Sequence, residues 1–158
     1  MNEWLPLLVA GTAALVVAAM GGFATEIGPW YRALRKPSFQ PPDWAFGPAW
    51  TVIFGLAAVA GARAWEAAPD AATRTLVVVL FAVNGVLNVA WSLLFFRLRR
   101  PDWALIEVAA LWLSILVLIV ALWPFAPHGA QLLIPYLVWV SFAAVLNWAT
   151  ARLNRPFG

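Results

Sequence analysis

Apolar residues run almost unbroken through five stretches of the chain, separated by short polar or proline-rich breaks. The runs are continuous, without the period-2 alternation of a membrane barrel strand. Each spans about 30 Å at a rise of ~1.5 Å per residue, the thickness of a bilayer's hydrocarbon core. A segment in that medium must satisfy its own backbone hydrogen bonds, so helices are expected. The pattern predicts helices over Leu5–Ala24, Trp44–Ala64, Thr75–Phe96, Asp102–Trp123 and Gln131–Ala151. The expected fold is all-α, a single-domain integral membrane bundle of five transmembrane helices covering residues 1–158.

The breaks differ in length. Trp65–Arg74, Arg97–Pro101 and Pro124–Ala130 are short and force antiparallel neighbours. Thr25–Asp43 is longer and carries Pro29, Pro37, Pro41 and Pro42. Prolines at that density prevent a continuous helix. This segment has enough chain to fold over one mouth of the bundle as a lid. The first run is too long for a signal-peptide core and has no basic stretch before it, so it reads as a retained helix.

Composition sharpens the class. The chain is 64% hydrophobic and 11% charged, and it has no cysteine. A soluble domain carries roughly twice that charge. Disulfides and thiolate metal sites are excluded. The formal charge is +3, but the cations flank apolar runs, so they point to topology and lipid headgroups rather than nucleic acid. Arg32, Arg35, Lys36, Arg97, Arg99, Arg100, Arg152 and Arg155 fall on one side of a five-span chain, with only Arg63 and Arg74 on the other. The basic side is expected in the cytoplasm, with the 25–43 loop and the C-terminus, and the N-terminus outside.

Eleven tryptophans are threaded through the runs. Trp4, Trp44, Trp65, Trp103 and Trp123 sit at predicted span ends, as an interfacial belt does. Trp50, Trp91, Trp112 and Trp139 lie deeper, with Trp50 and Trp91 roughly 9 Å below the basic boundary. Asn84, Asn88, Trp91 and Phe95 share one face of the third run. Pro135, Trp139, Phe142 and Asn147 lie close to one face of the fifth, and Trp50 with Phe54 forms an i,i+4 pair on the second. Two readings stand side by side. The asparagines join helices by hydrogen bonds and the aromatics pack, or together they wall a cavity for flat apolar ligands.

Candidate chemistry is sparse. No catalytic set, phosphate-binding glycine loop or metal-ligand spacing is present, and no cofactor is required. His128 falls in an outer loop. Glu107 is the one carboxylate well inside a span, close enough to the basic side to reach toward Arg99 or Arg100.

Three motifs carry a family resemblance. The stretch from Trp30-Tyr31-Arg32 through Lys36-Pro37 and Gln40-Pro41-Pro42 to Phe46-Gly47-Pro48-Ala49-Trp50-Thr51 resembles the first loop and second helix of the TspO/MBR family. Asn88-Val89-Ala90-Trp91-Ser92 to Phe96 resembles its third helix. Pro135-Tyr136-Leu137-Val138-Trp139, followed by Leu146-Asn147, resembles its fifth. The resemblance implies a five-helix bundle, usually a homodimer, with a ligand pocket in the cytoplasmic half. It implies porphyrin ligands such as protoporphyrin IX or haem, other hydrophobic small molecules, and membrane lipid as surroundings. Pocket positions carried over are Trp50, Asn88, Trp91, Trp139 and Asn147, with Phe46, Pro42, Ala143 and Phe54 as further wall residues. Trp30, Lys36, Pro37, Phe39 and Pro41 belong to the lid. Many bacterial members have tryptophan where this chain has Ser38 or Phe39, and tyrosine where it has Phe54. The implied function is sensing, regulation or transport of tetrapyrroles, with light-dependent protoporphyrin degradation as the enzymatic alternative.

Overall fold

The computed structural model of the chain describes residues 2–157. Every regular element within them is helical. Helix α1 covers Leu5–Ala24 and a short α2 covers Pro29–Ala33. A 3-10 turn, Asp43–Ala45, leads into α3, Phe46–Ala67. Helix α4, Ala71–Ser92, continues through a π-helical turn at Leu93–Arg97. Then follow α5 (Pro101–Leu122), the short α6 (Pro127–Leu132) and α7 (Ile134–Asn154). Five segments are long and apolar enough to cross a membrane, and the protein is an integral multi-pass one.

The element ends depart from the hydropathy reading where side-chain chemistry intervenes. Helix α4 begins at Ala71 rather than Thr75 because the Asp70 carboxylate accepts a 2.7 Å hydrogen bond from the Thr73 N–H. That bond caps the helix and holds the Asp70 carboxyl below its ordinary range. Helix α3 runs on to Ala67, so the connection is only residues 68–70. Arg74 closes the corner by donating to the Trp65 carbonyl and stacking 5.1 Å over its ring. The expected loop around His128 is helix α6, started by Pro127 at a position where a missing N–H costs nothing.

The core centres on α5, with α3, α4 and α7 packed around it. Val108, Leu111, Ile115, Leu118 and Leu122 recur at helical spacing along α5 and pack against Tyr136 and Val140 of α7. In lipid such packing is driven by close contact and interhelical hydrogen bonds rather than by exclusion of water. Small residues set the other contacts. Gly61 of α3 sits beside Ala10 and Phe81, and Gly85 of α4 admits Val17 of α1. Gly129 of α6 presses on α3, where an added Cβ would stand 3.2 Å from the Ala60 carbonyl oxygen. By contrast α1 buries only Ala24 within the protein.

The two kinds of glycine should separate experimentally. Nothing lies within 4 Å of a Cβ built on Gly11, so Gly11→Ala should keep or raise the melting temperature through helix propensity. Gly129→Ala forces a rigid backbone apart, an overpacking cost of about 1–3 kcal/mol. It should melt several degrees below Gly11→Ala in the same detergent, and equal melting would show that α6 is not seated against α3.

Candidate functional site

Beneath the 25–43 loop a hollow of about 1020 Å³ opens among α1, α3, α4 and α7. That volume stands at the upper end of small-molecule sites, which run ~300–1,000 Å³. Its walls are of three kinds.

The first wall is aromatic and comes from α3 and α7. Trp50 stacks on Phe54 with centroids 5.5 Å apart. It meets Trp139 edge to face at 6.2 Å, and Phe46 meets Trp139 at 5.9 Å. The second wall comes from α4 and its π-helical turn. Trp91 stacks on Phe95 at 5.2 Å and meets Phe96 edge to face at 5.9 Å. The wider π-helical turn lets two consecutive phenylalanines reach the same indole, and such turns recur at functional sites. Among the described residues no ring of one wall pairs with a ring of the other. The third wall is α1, which offers a stripe of small groups at helical spacing: Gly11, Ala14, Ala18 and Gly21.

Hydrogen bonds hold the rings in place. The Trp91 Nε1–H donates to Asn147 Oδ1 at 3.0 Å, and Asn147 Nδ2 donates to the Pro101 carbonyl at 2.9 Å. Asn147 therefore ties α4, α5 and α7 together while it fixes the indole. Asn88 donates to the Tyr136 hydroxyl at 2.9 Å, which donates to Asn84 Oδ1 at 3.1 Å. Asn84 Nδ2 in turn donates to Ser114 at 2.9 Å. Both readings of the asparagines hold at once: Asn84 is an interhelical joint, and Asn88 and Asn147 are joints that also line the hollow. Trp112, one of the deep tryptophans, instead donates to Ser141 at 2.8 Å between α5 and α7 and does not line it. The Trp139 Nε1–H is buried without a partner. An unmet buried donor costs about 1–3 kcal/mol.

Glu107 departs from its expected place. It was expected to reach toward Arg99 or Arg100, yet both its carboxylate oxygens are buried and unpartnered. Arg100 is occupied by Asp102, which accepts from its Nε at 2.8 Å, and it lies 4.2 Å over the Trp103 ring. The acid two residues from Arg100 captured the cation before the one seven residues away.

The loop is pinned by side chains, since its prolines withhold backbone donors. Tyr31 is buried under it and is the anchor. Its hydroxyl donates to Asp43 Oδ1 at 3.3 Å and accepts from Gln40 Nε2 at 3.1 Å. Lys36 Nζ donates to the Tyr31 carbonyl at 3.1 Å and lies 4.4 Å over its ring. Asn154 at the end of α7 pairs reciprocally with the Arg35 backbone, both bonds at 2.8 Å. Burial, then the negative charge of Asp43, pushes the Tyr31 phenol from 10 up to about 12.

Of the residues singled out from the sequence, Trp50, Asn88, Trp91, Trp139, Asn147, Phe46, Ala143, Phe54 and Lys36 line the hollow. Pro42, Trp30, Pro37, Phe39 and Pro41 do not. Phe39 packs on Phe142 at 6.4 Å, outside the lining, and Trp30 packs on the outer side of Phe95 at 6.3 Å. Sequence reasoning missed Tyr31, Gln40 and Asp43 at the mouth. All three fall in or beside the proline-rich motif, where alternating polar and proline positions were the available signal. It also missed the α1 wall, because glycine and alanine in an apolar run carry no signal of their own.

The sequence model of the TspO/MBR family matches residues 9–153. The chain belongs to the TspO/MBR family. It is 36% identical over 148 residues to the "Tryptophan-rich protein TspO" of Chlorobaculum tepidum, covering 93% of this chain and 94% of that one. It is 32% identical over 159 residues to the "Translocator protein" of Sus scrofa, covering 96% and 92%. It is 30% identical over 154 residues to the "Tryptophan-rich sensory protein" of Cereibacter sphaeroides, covering 98% and 95%. As a TspO/MBR protein it brings Trp50, Asn88, Trp91, Trp139 and Asn147 to one hollow.

Two tests follow from this geometry. Asn147→Leu strips the partner from the Trp91 N–H, an expected loss of about 1–3 kcal/mol, while the Pro101 carbonyl keeps its bond within α5. Thermal unfolding should drop clearly, and an unchanged transition would show that the indole is held by packing alone. The Tyr31 phenol titrates higher in the folded chain than in the unfolded one. Its contribution to the loop is therefore whole below pH ~10 and lost as pH rises toward ~12. Difference absorbance of the wild type against Tyr31→Phe should show a phenolate appearing near pH 12, and titration near 10 would mean the hydroxyl is not buried under the loop.

Proposed function

We propose that the hollow binds flat, mostly apolar molecules of the tetrapyrrole kind, protoporphyrin IX or haem among them, so that the protein senses, regulates or transports them. One observation carries this reading: two separate aromatic clusters, Trp50 with Phe54, Phe46 and Trp139, and Trp91 with Phe95 and Phe96, line one apolar hollow. A planar guest in contact with both gains aromatic faces to stack on. The polar groups favour an amphiphile. Tyr31, Lys36, Gln40 and Asp43 lie at the loop-covered mouth, and the deeper lining is mostly hydrocarbon and aromatic, with Asn88 and Asn147 already engaged between helices. The names of relatives, a translocator and a sensory protein, are in keeping with this. The cationic loop side is assigned to the cytoplasm on the excess of Lys and Arg there.

Titration of the detergent-solubilised protein with protoporphyrin IX tests the assignment, read by the porphyrin's absorbance shift and by tryptophan quenching. Trp50→Ala with Trp139→Ala should weaken binding by roughly tenfold or more. Gly55→Phe touches no aromatic wall residue and fills space that is open in the hollow. It should block binding while the melting temperature is retained. Wild-type affinity in both variants would place any porphyrin elsewhere.

A further inference from the structure

A second hollow, of about 480 Å³, adjoins the 25–43 loop and shares only Leu34 with the lining of the first. Three distant stretches of chain meet there. Trp30, Ala33 and Leu34 come from α2 and its exit, Leu98, Arg99 and Arg100 from the turn after α4, and Asn154, Pro156 and Phe157 from the end of α7. We propose that this hollow is a binding site for a phosphate-ester anion, supplied by the headgroup of an anionic phospholipid.

The charge argues for an anion. Two guanidiniums line the hollow, and Arg100 is already paired with Asp102. Among the described residues Arg99 has no carboxylate partner. A planar guanidinium fork matches phosphate oxygens two at a time.

The backbone argues that Arg99 is not there for the turn. Arg99 has φ 55°, the one positive value among the non-glycine residues described. It occupies the left-handed position that ends a helix, with the Arg100 N–H donating back to the Leu94 carbonyl at 2.9 Å. Glycine takes that position without strain. An arginine held there is a local cost that a side-chain role would offset.

The surroundings argue for lipid. Trp103 and Leu98 are both exposed beside the hollow. Arg100 lies over the Trp103 ring, which marks the interface between headgroups and acyl chains. A lipid phosphate at Arg99 would leave its chains to run down the apolar surface of the span. The site also borders the loop's fastening, because Asn154 holds the Arg35 backbone from both sides. An occupant touching α2 and the α7 end together therefore steadies the loop.

Native mass spectrometry of the full chain tests this, with phosphatidylglycerol, phosphatidylcholine and sn-glycerol 3-phosphate as probes. The wild type should hold one phosphatidylglycerol per chain in preference to phosphatidylcholine. Arg99→Gly removes the cation and relieves the backbone, so the affinity should fall about fivefold while the melting temperature stays level or rises. Ala33→Trp fills the hollow and leaves both guanidiniums, and it should weaken binding as well. Phosphatidylglycerol bound as tightly by both variants as by the wild type, or no better than phosphatidylcholine, overturns the proposal. Displacement by millimolar glycerol phosphate would overturn the lipid source and assign the site to a soluble phosphate ester. Amide exchange over residues 30–40 should slow when phosphatidylglycerol is bound, and exchange unaffected by the lipid would overturn the link to the loop.

Discussion

A polar group in hydrocarbon has no water to fall back on, and that constraint decides how this protein is built. Each buried amide or indole N–H must find a partner inside the protein or remain a standing cost. Here the partners are found between helices. Trp91 with Asn147, Tyr136 with Asn88 and Asn84, Asn84 with Ser114, and Trp112 with Ser141 all bridge α4, α5 and α7. Among the described residues, every hydrogen bond between side chains of different spans lies within this trio. The trio is consequently the fixed half of the molecule, because a shift of any one helix would strand several polar groups at once.

The other half is assembled differently. Hydroxyls on α1 and α3 turn back to their own helices, Thr12 to the Leu8 carbonyl and Thr51 to the Gly47 carbonyl. These helices are joined to the rest by glycines and alanines, by the aromatic edge contacts of Trp50 with Tyr136 and Trp139, and at their ends by Arg97 on the Phe23 carbonyl and Arg74 on the Trp65 carbonyl. Away from those two end bonds the contacts depend on fit and strand no polar group when they part. A hollow with a hydrogen-bonded trio on one side and helices tied only at their ends on the other can change width in its middle without breaking a network. In the proposed function that is the property a site for guests of varied outline needs.

Much of this was legible in the sequence, and the parts that were not have a common cause. Long apolar runs report the bilayer's thickness directly, so the five spans were placed within a few residues. Large aromatics and asparagines at helical spacing report a shared face, and the family resemblance grouped Trp50, Trp91, Trp139, Asn88 and Asn147, which line one hollow. What escaped depends on short-range competition or on emptiness. Asp70 moved a helix start by capping it, and Asp102 took Arg100 before Glu107 reached it. The α1 wall is made of what its residues lack, and absence of side chain leaves no periodic mark in a run that is hydrophobic all round. The hollow beside the loop joins residues 30–34, 98–100 and 154–157, a juxtaposition that no local pattern encodes.

The distribution of polarity along the main hollow also bears on how a guest would lie. At its mouth Lys36 is bound to a backbone carbonyl and a ring face, not to a carboxylate, while Asp43 accepts from Tyr31. The cation thus retains donors for an anionic substituent, and the carboxylate beside it discourages a second one. Deeper in, the lining offers ring faces, aliphatic groups and the amides of Asn88 and Asn147, which are already engaged between helices. A guest with acidic groups on one edge and a greasy opposite edge has a single favourable orientation, acids toward the loop. A guest without them has no such preference and would be held by shape alone. On the proposed reading the loop does more than close the hollow: its Lys36–Tyr31–Asp43 arrangement selects which end of the guest stays near the membrane surface, where release begins.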